Sequence, residues 1–70
     1  MSPDKLVYMA NQISKFFSTQ NRTSAPQAVA DHLVRFWEPR MREQICAHWR
    51  SGGDGLDPIA REAVHILSGR

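Results

Sequence analysis

Cysteine is almost missing from this 70-residue chain, because Cys46 is the only one. A single thiol excludes a disulfide within the chain, and it excludes a zinc or iron–sulfur site that would need several thiolates from this chain alone. Sparing use of cysteine is typical of proteins from a reducing compartment, so we expect a cytoplasmic location.

Long hydrophobic runs and a strong charge imbalance are missing as well. The longest unbroken apolar run, residues 6–10, is too short for a membrane span or for the core of a signal peptide. Nine Lys and Arg residues against seven Asp and Glu residues leave a net charge of only +2, so a polybasic face is not indicated. With 41% apolar and 23% charged residues, the composition is that of a small globular domain with one limited core.

Helical patterns fill most of the chain, and no segment alternates with the period of two that is typical of strands. Ser2 before Pro3 and Asp57 before Pro58 are typical helix starts, and Pro39 forces a break because it lacks an amide proton and disfavours helical geometry at Glu38. We therefore predict a single all-α domain over residues 1–70, a small bundle of three to four short helices without strands. The predicted helices span about residues 3–18, 25–37, 39–50 and 58–68.

Side-chain spacing within these helices predicts further details. The apolar residues of the first helix form one stripe that we expect to face the core: Leu6, Met9, Ala10, Ile13, Phe16 and Phe17. Ser24 and Gln27 have the spacing of a capping box. Asp31 with Arg35, and Glu38 with Arg42, have the spacing of ion pairs on a helix surface.

Three glycines, Gly52, Gly53 and Gly55, follow the third predicted helix. Glycine supplies the positive φ angles of a tight helix exit, so we interpret them as a structural turn. A phosphate-binding loop is disfavoured, because such loops follow a strand and open a helix, and because Asp54 would repel an anion.

No catalytic or metal site is predicted. His32, His48 and His65 lack the three- or four-residue spacing of a helical ligand pair, although His48 can reach a carbonyl left open at the end of its helix. Cys46 is expected to be buried and inert, and no base accompanies it in a recognisable motif, although Arg42 and Arg50 supply positive charge one turn away on either side. We therefore expect a chain without chemistry of its own.

A cluster of aromatic and basic residues around Pro39 is the strongest functional signal. A small core has little room for all the large aromatic side chains, and exposed Trp, Met and Arg are enriched at protein interfaces. For any single member, a place in the core or, for an arginine, a solvated position is the better prediction, and the case for binding rests on the set as a whole. The residues that we predict to bind a partner are Phe36, Trp37, Pro39, Arg40, Met41, Arg42 and Trp49.

Four short elements in order resemble the delta subunit of bacterial, NAD-dependent, molybdenum-containing formate dehydrogenases. They cover nearly the whole chain: Met9-Ala10-Asn11-Gln12-Ile13 with Phe16-Phe17, then Val29-Ala30-Asp31-His32-Leu33, then Phe36-Trp37-Glu38-Pro39-Arg40-Met41-Arg42, and finally Gly52-Gly53-Asp54-Gly55-Leu56-Asp57-Pro58 leading to Ala63-Val64.

The resemblance implies a non-catalytic accessory subunit that binds the larger subunits of a cytoplasmic enzyme and stabilises the complex or helps to assemble it. Such an enzyme oxidises formate to carbon dioxide and passes the electrons to NAD. The resemblance also implies that the molybdenum cofactor, the iron–sulfur clusters, FMN and NAD are bound by the partner subunits and not by this chain.

Two other hypotheses stay open at this point. The chain could be a small basic helical module that binds nucleic acid through Arg40, Arg42 and Arg50, and phosphate contacts would then make binding depend steeply on salt. It could also be a self-associating structural domain that hides its aromatic side chains in a homodimer.

Overall fold

Four helices make up the computed structural model, which describes residues 2–70. They are α1 (Pro3–Ser18), α2 (Ala25–Phe36), α3 (Pro39–Arg50) and α4 (Pro58–Ser68). The described residues contain no strand, so the all-α prediction is confirmed. The bundle measures 28 × 22 × 18 Å, and α2 packs most extensively against α4.

Proline and side-chain caps determine where the helices begin. Every helix has a proline in its first two positions, where a missing amide proton costs no hydrogen bond. Ser2 Oγ accepts from the Lys5 amide at 3.4 Å, and an Asp57 carboxylate oxygen accepts from the Ala60 amide at 2.7 Å.

The expected capping box of α2 does not form. Ser24 has φ −92° and ψ −4° and makes no side-chain cap, because a capping hydroxyl is normally aimed by an extended backbone. Gln27 instead donates to Asp31 on its own helix, at 3.0 Å.

The break between α2 and α3 follows from Pro39. Trp37 and Glu38 both have extended backbone angles, the geometry that a residue before proline prefers, and α2 therefore ends at Phe36, one residue before the expected end. Arg42 Nη1 donates to the carbonyl oxygens of Val34 at 3.1 Å and Trp37 at 2.6 Å. Arg42 thus satisfies carbonyls left open by the helix end and does not form the expected pair with Glu38.

The core draws side chains from all four helices and from the last loop. Buried alanines of α2 and α4, among them Ala30, Ala60 and Ala63, keep the side chains between these helices small. The buried cluster consists of Leu6, Val7, Ala10, Val29, Ala30, Leu33, Trp37, Ile45, Cys46, Leu56, Ala60, Ala63, Val64 and Leu67.

The predicted apolar stripe of α1 is wrong at Phe16, which is 59% exposed. Val7, which is not part of the predicted stripe, is buried in the core. At about 100° per residue, position 16 lies roughly 120° from the direction of the fully buried Ala10, whereas Val7 and Ile13 lie only about 60° from it. The neighbouring Phe17 is half-buried and packs against the core.

The turn after α3 uses three glycines with positive φ, +124° at Gly52, +65° at Gly53 and +87° at Gly55. The Gly52 amide donates to Trp49 O and the Gly53 amide to His48 O, the pair of hydrogen bonds that defines a Schellman helix end. A Cβ on Gly55 would lie 3.2 Å from Val7 Cγ1, so α1 also crowds this position.

Side chains hold all four carbonyl oxygens of residues 52–55. Arg61 donates to Gly52 O and Gly53 O, His48 Nε2 lies 2.7 Å from Asp54 O, and Asn11 Nδ2 donates to Gly55 O. A carbonyl only accepts, so Nε2 of His48 carries the proton. Side chains of α1, α3 and α4 therefore hold the turn in place. The Gly52 and Gly53 amides donate to carbonyl oxygens of α3.

Candidate docking surface and arginine groove

An exposed row of aromatic rings runs across α1 and α2, and we call Phe16, Phe17, His32 and Phe36 the aromatic surface. The ring centroids of Phe16 and Phe17 are 5.2 Å apart, those of Phe17 and His32 are 6.0 Å apart, and those of His32 and Phe36 are 4.7 Å apart. The two α2 members are four residues apart, so they share one helix face.

The two ends of the aromatic surface face solvent. Phe16 is 59% exposed and Phe36 is 67% exposed. Arg35 Cζ lies 5.7 Å from the centroid of Phe36, and a shallow cavity of about 270 Å³ lies between Phe17, His32 and Phe36. Exposed aromatic area next to a guanidinium is typical of interfaces with other proteins.

Trp37 differs from its neighbour Phe36. Its indole is only 5% exposed and belongs to the buried cluster, although the two residues are adjacent at the end of α2. The sequence placed both residues among the partner-binding set, and the structure gives Trp37 a core position with little surface to offer a partner.

The remaining residues predicted to bind a partner lie in different places. Arg40 is exposed, and Met41 is half-buried against the core. Trp49 is half-buried and stacks on His65 of α4, with centroids 5.0 Å apart and planes 17° apart. Pro39 and Arg42 line a groove on another face. The predicted cluster is thus divided among several surfaces, and its role in binding stays a prediction.

A groove of about 420 Å³ lies between α2, α3 and α4, and we call it the arginine groove. Its lining combines three arginines with apolar side chains: Val34, Pro39, Arg42, Glu43, Cys46, Arg50, Leu67, Ser68 and Arg70. Cys46 lies at its buried side, where burial raises the pKa of the thiol and the nearby Arg50 and Arg42 offset part of that rise. A raised pKa disfavours the nucleophilic thiolate.

Arg70 at one end of the arginine groove forms an ion pair across the bundle. Its Nη2 lies 2.6 Å from Asp31 Oδ1 in α2, so Asp31 pairs with Arg70 and not with Arg35 as the spacing predicted. The hydrogen bond from Arg70 is the main reason that the pKa of Asp31 lies below its ordinary value of 3.8, followed by the hydrogen bond from Gln27.

We expect the substitution Arg70→Gln to raise the pKa of Asp31 toward 3.8, because it removes the largest cause of the lowering. Since the folded-state pKa is lowered, the pair stabilises the fold above the unfolded-state pKa, and this contribution is lost as the pH falls through the folded value. An NMR titration of the Asp31 carboxyl measures the change. Arg35→Gln is the matched control and should raise the pKa less, and equal rises in the two variants would contradict the assignment.

The titratable side chains do not converge on a metal site. Within residues 2–70, no group of three or more His, Cys, Asp and Glu residues is placed to hold a metal ion. His32 lies on the aromatic surface, His48 binds the glycine turn and His65 stacks on Trp49. In the same part of the chain, no helix is long and apolar enough to cross a membrane.

Fold and surface together define a small all-α domain with an exposed aromatic surface and an arginine-lined groove. The model of one protein family, the NADH-dependent formate dehydrogenase delta subunit FdsD, matches residues 5–64. The chain therefore belongs to the FdsD family, as its sequence elements predicted. No curated protein and no solved structure shows a significant match to the chain.

Proposed function

We propose that this chain is a non-catalytic accessory subunit that binds the larger subunits of a cytoplasmic, NAD-dependent formate dehydrogenase and stabilises or helps to assemble that complex. Family membership over residues 5–64 supports the association with such an enzyme. The observation that carries the proposal is the aromatic surface. The molybdenum cofactor, iron–sulfur clusters, FMN and NAD would be held by the partner subunits.

The aromatic surface has the composition of a binding site. Phe16 and Phe36 keep more than half of their area in water, and burying such rings against a partner stabilises association through the hydrophobic effect. Contacts with Phe17 and His32 hold the rings before binding, which limits the entropy lost on association.

Structural roles account for the polar groups that would otherwise be candidates for chemistry. Asn11 and His48 bind the glycine turn, and Asp57 caps α4 while accepting from the buried Ser14 hydroxyl. Groups used in this way are not free to act as a general acid or base, which supports a non-catalytic role.

Co-purification tests the proposal. The tagged chain is expressed with the larger formate dehydrogenase subunits of the same organism, and the eluate is assayed for those subunits, for molybdenum and for formate-dependent NAD reduction. We expect the double variant Phe16→Ala, Phe36→Ala to retain roughly tenfold less of the larger subunits, because it removes two exposed aromatic anchors.

Tyr8→Ala is the matched control, because Tyr8 is an equally exposed aromatic residue of α1, at 65%, outside the aromatic surface. An eluate without large subunits from the unmodified chain would reject the stable-subunit proposal. Equal losses in Tyr8→Ala and in the double variant would reject the aromatic surface as the binding site.

Self-association is the second candidate, and the same exposed rings favour it. A homodimer through the aromatic surface would give the isolated chain a melting temperature that rises with protein concentration, and the double variant would abolish that rise. The nucleic-acid hypothesis gains no support from the geometry, because Arg40 does not line the groove that holds Arg42 and Arg50, so the three arginines do not form one basic face.

A further inference from the structure

The arginine groove is a second surface, separate from the aromatic surface and not needed by the proposed function. Its residues come from α2, α3 and α4, together with Arg70. A volume of about 420 Å³ lies within the range of about 300–1,000 Å³ that is usual for ligand sites.

Positive charge in the arginine groove is only partly neutralised. Asp31 pairs with Arg70, and Glu43 offsets one of the other two arginines, so about one positive charge remains. The Arg50 side chain takes part in none of the side-chain hydrogen bonds or ion pairs of residues 2–70, in which Arg42, Arg61 and Arg70 are the donating arginines. Arg42 uses Nη1 for both of its backbone contacts, so its other N–H donors are not engaged by them.

Apolar side chains accompany these donors. Val34 is 40% exposed and Pro39 is exposed. Leu67 and Cys46 belong to the core and line the groove only with the small part of their side chains that is not buried. A single remaining charge beside apolar surface matches one carboxylate next to an apolar side chain, and it matches a doubly charged phosphate less well because Glu43 would repel the second charge.

The shape favours a protein segment over a small ligand. Most of the lining residues, including Glu43, Arg50 and Arg70, are exposed, so the groove covers an occupant on one side only. Small-ligand pockets usually enclose their ligand, whereas a peptide segment is supported on its other side by the protein that carries it.

We propose that the arginine groove binds a segment of a partner protein in which an acidic side chain adjoins apolar ones. Arg50 and the unused donors of Arg42 hold the carboxylate, while Val34, Pro39 and Leu67 contact the apolar side chains. Binding at the arginine groove does not depend on which enzyme the chain accompanies, and it is independent of the function proposed for the aromatic surface.

Random peptides displayed on phage and selected on the immobilised chain test this inference without assuming a partner. We expect the enriched peptides to share an acidic residue beside apolar ones, and fluorescence anisotropy of the synthetic peptides gives their affinities. Arg50→Gln should weaken binding about tenfold, and replacing the acidic residue of the peptide with its amide should weaken it similarly.

Arg22→Gln is the matched control, because it removes the same charge from an exposed loop residue outside the groove and should leave the affinity unchanged. Circular dichroism verifies that both variants fold. Equal weakening by the two variants would mean that only net charge matters and would overturn the proposal. So would enriched peptides without acidic residues, no enrichment at all, or displacement of the peptides by inorganic phosphate but not by glutarate.

Discussion

Replacing Trp37 with alanine is expected to lower the free energy of unfolding by about 3–5 kcal/mol, because it leaves a large cavity where the indole packs. The side chain is 5% exposed and joins the end of α2 to the core. At roughly 0.05–0.15 kcal/mol per residue, a domain of this length has a total stability of about 4–10 kcal/mol, so the variant should be largely unfolded or close to it. Urea denaturation followed by far-ultraviolet circular dichroism measures the change.

Phe36→Ala is the control for this prediction, because Phe36 is the adjacent residue and is 67% exposed. It should change the free energy of unfolding by no more than about 0.5 kcal/mol. Similar losses for the two variants would contradict the division between a core residue and a surface residue. An unchanged stability of Phe36→Ala also serves as a control for the co-purification experiment. If this variant is folded, its loss of binding cannot be attributed to unfolding.

Asp57→Ala is expected to have the second largest effect, a loss of about 2–4 kcal/mol. One carboxylate oxygen of Asp57 accepts from the Ala60 amide at 2.7 Å and from Ser14 Oγ at 2.8 Å. Loss of the helix cap costs about 1 kcal/mol. Ser14 is only 1% exposed, and leaving its hydroxyl without an acceptor costs about 1–3 kcal/mol more. The measurement is again urea denaturation.

The substitution Asp57→Asn distinguishes the contribution of the hydrogen bonds to stability from that of the negative charge. Asp57→Asn keeps an acceptor oxygen and a good cap, so it should recover most of the stability lost in Asp57→Ala. In the Ser14→Ala background, Asp57→Ala should cost less, because the buried hydroxyl is gone, and a double-mutant cycle measures this coupling. If asparagine is as damaging as alanine, or if the two sites do not couple, the hydrogen bonds are not the source of the effect.

Local signals in the sequence were enough to predict the helical architecture. Prolines at helix starts, the break that Pro39 imposes and the three glycines after α3 act through the φ and ψ angles of a few neighbouring residues. The end of α2 lies one residue before its predicted position. The predicted capping box at Ser24 does not form, because the backbone at Ser24 is helical. The ordered elements from Met9 to Val64 also predicted the family that matches residues 5–64.

The candidate sites could be predicted only in part. Phe36 and Trp37 are adjacent and both aromatic, yet Phe36 is exposed and Trp37 is buried, because the packing of the four helices decides which ring enters the core. The apolar spacing of α1 places Phe16 in the core stripe, whereas the structure places it on the aromatic surface. His32 has no predicted binding role, although its spacing of four residues from Phe36 is a usable signal.

The sequence by itself determined the four helices, the glycine turn and the family, because these depend on local backbone preference or on the order of short elements. Only the tertiary structure decided which aromatic side chains face solvent and which arginines share a groove. Arg42 and Arg50 are neighbours along α3 through local spacing, but Arg70 joins them only because α3 and α4 pack side by side, and Asp31 meets Arg70 across 39 positions of the chain. Contacts of that kind depend on how helices pack, which no local pattern specifies.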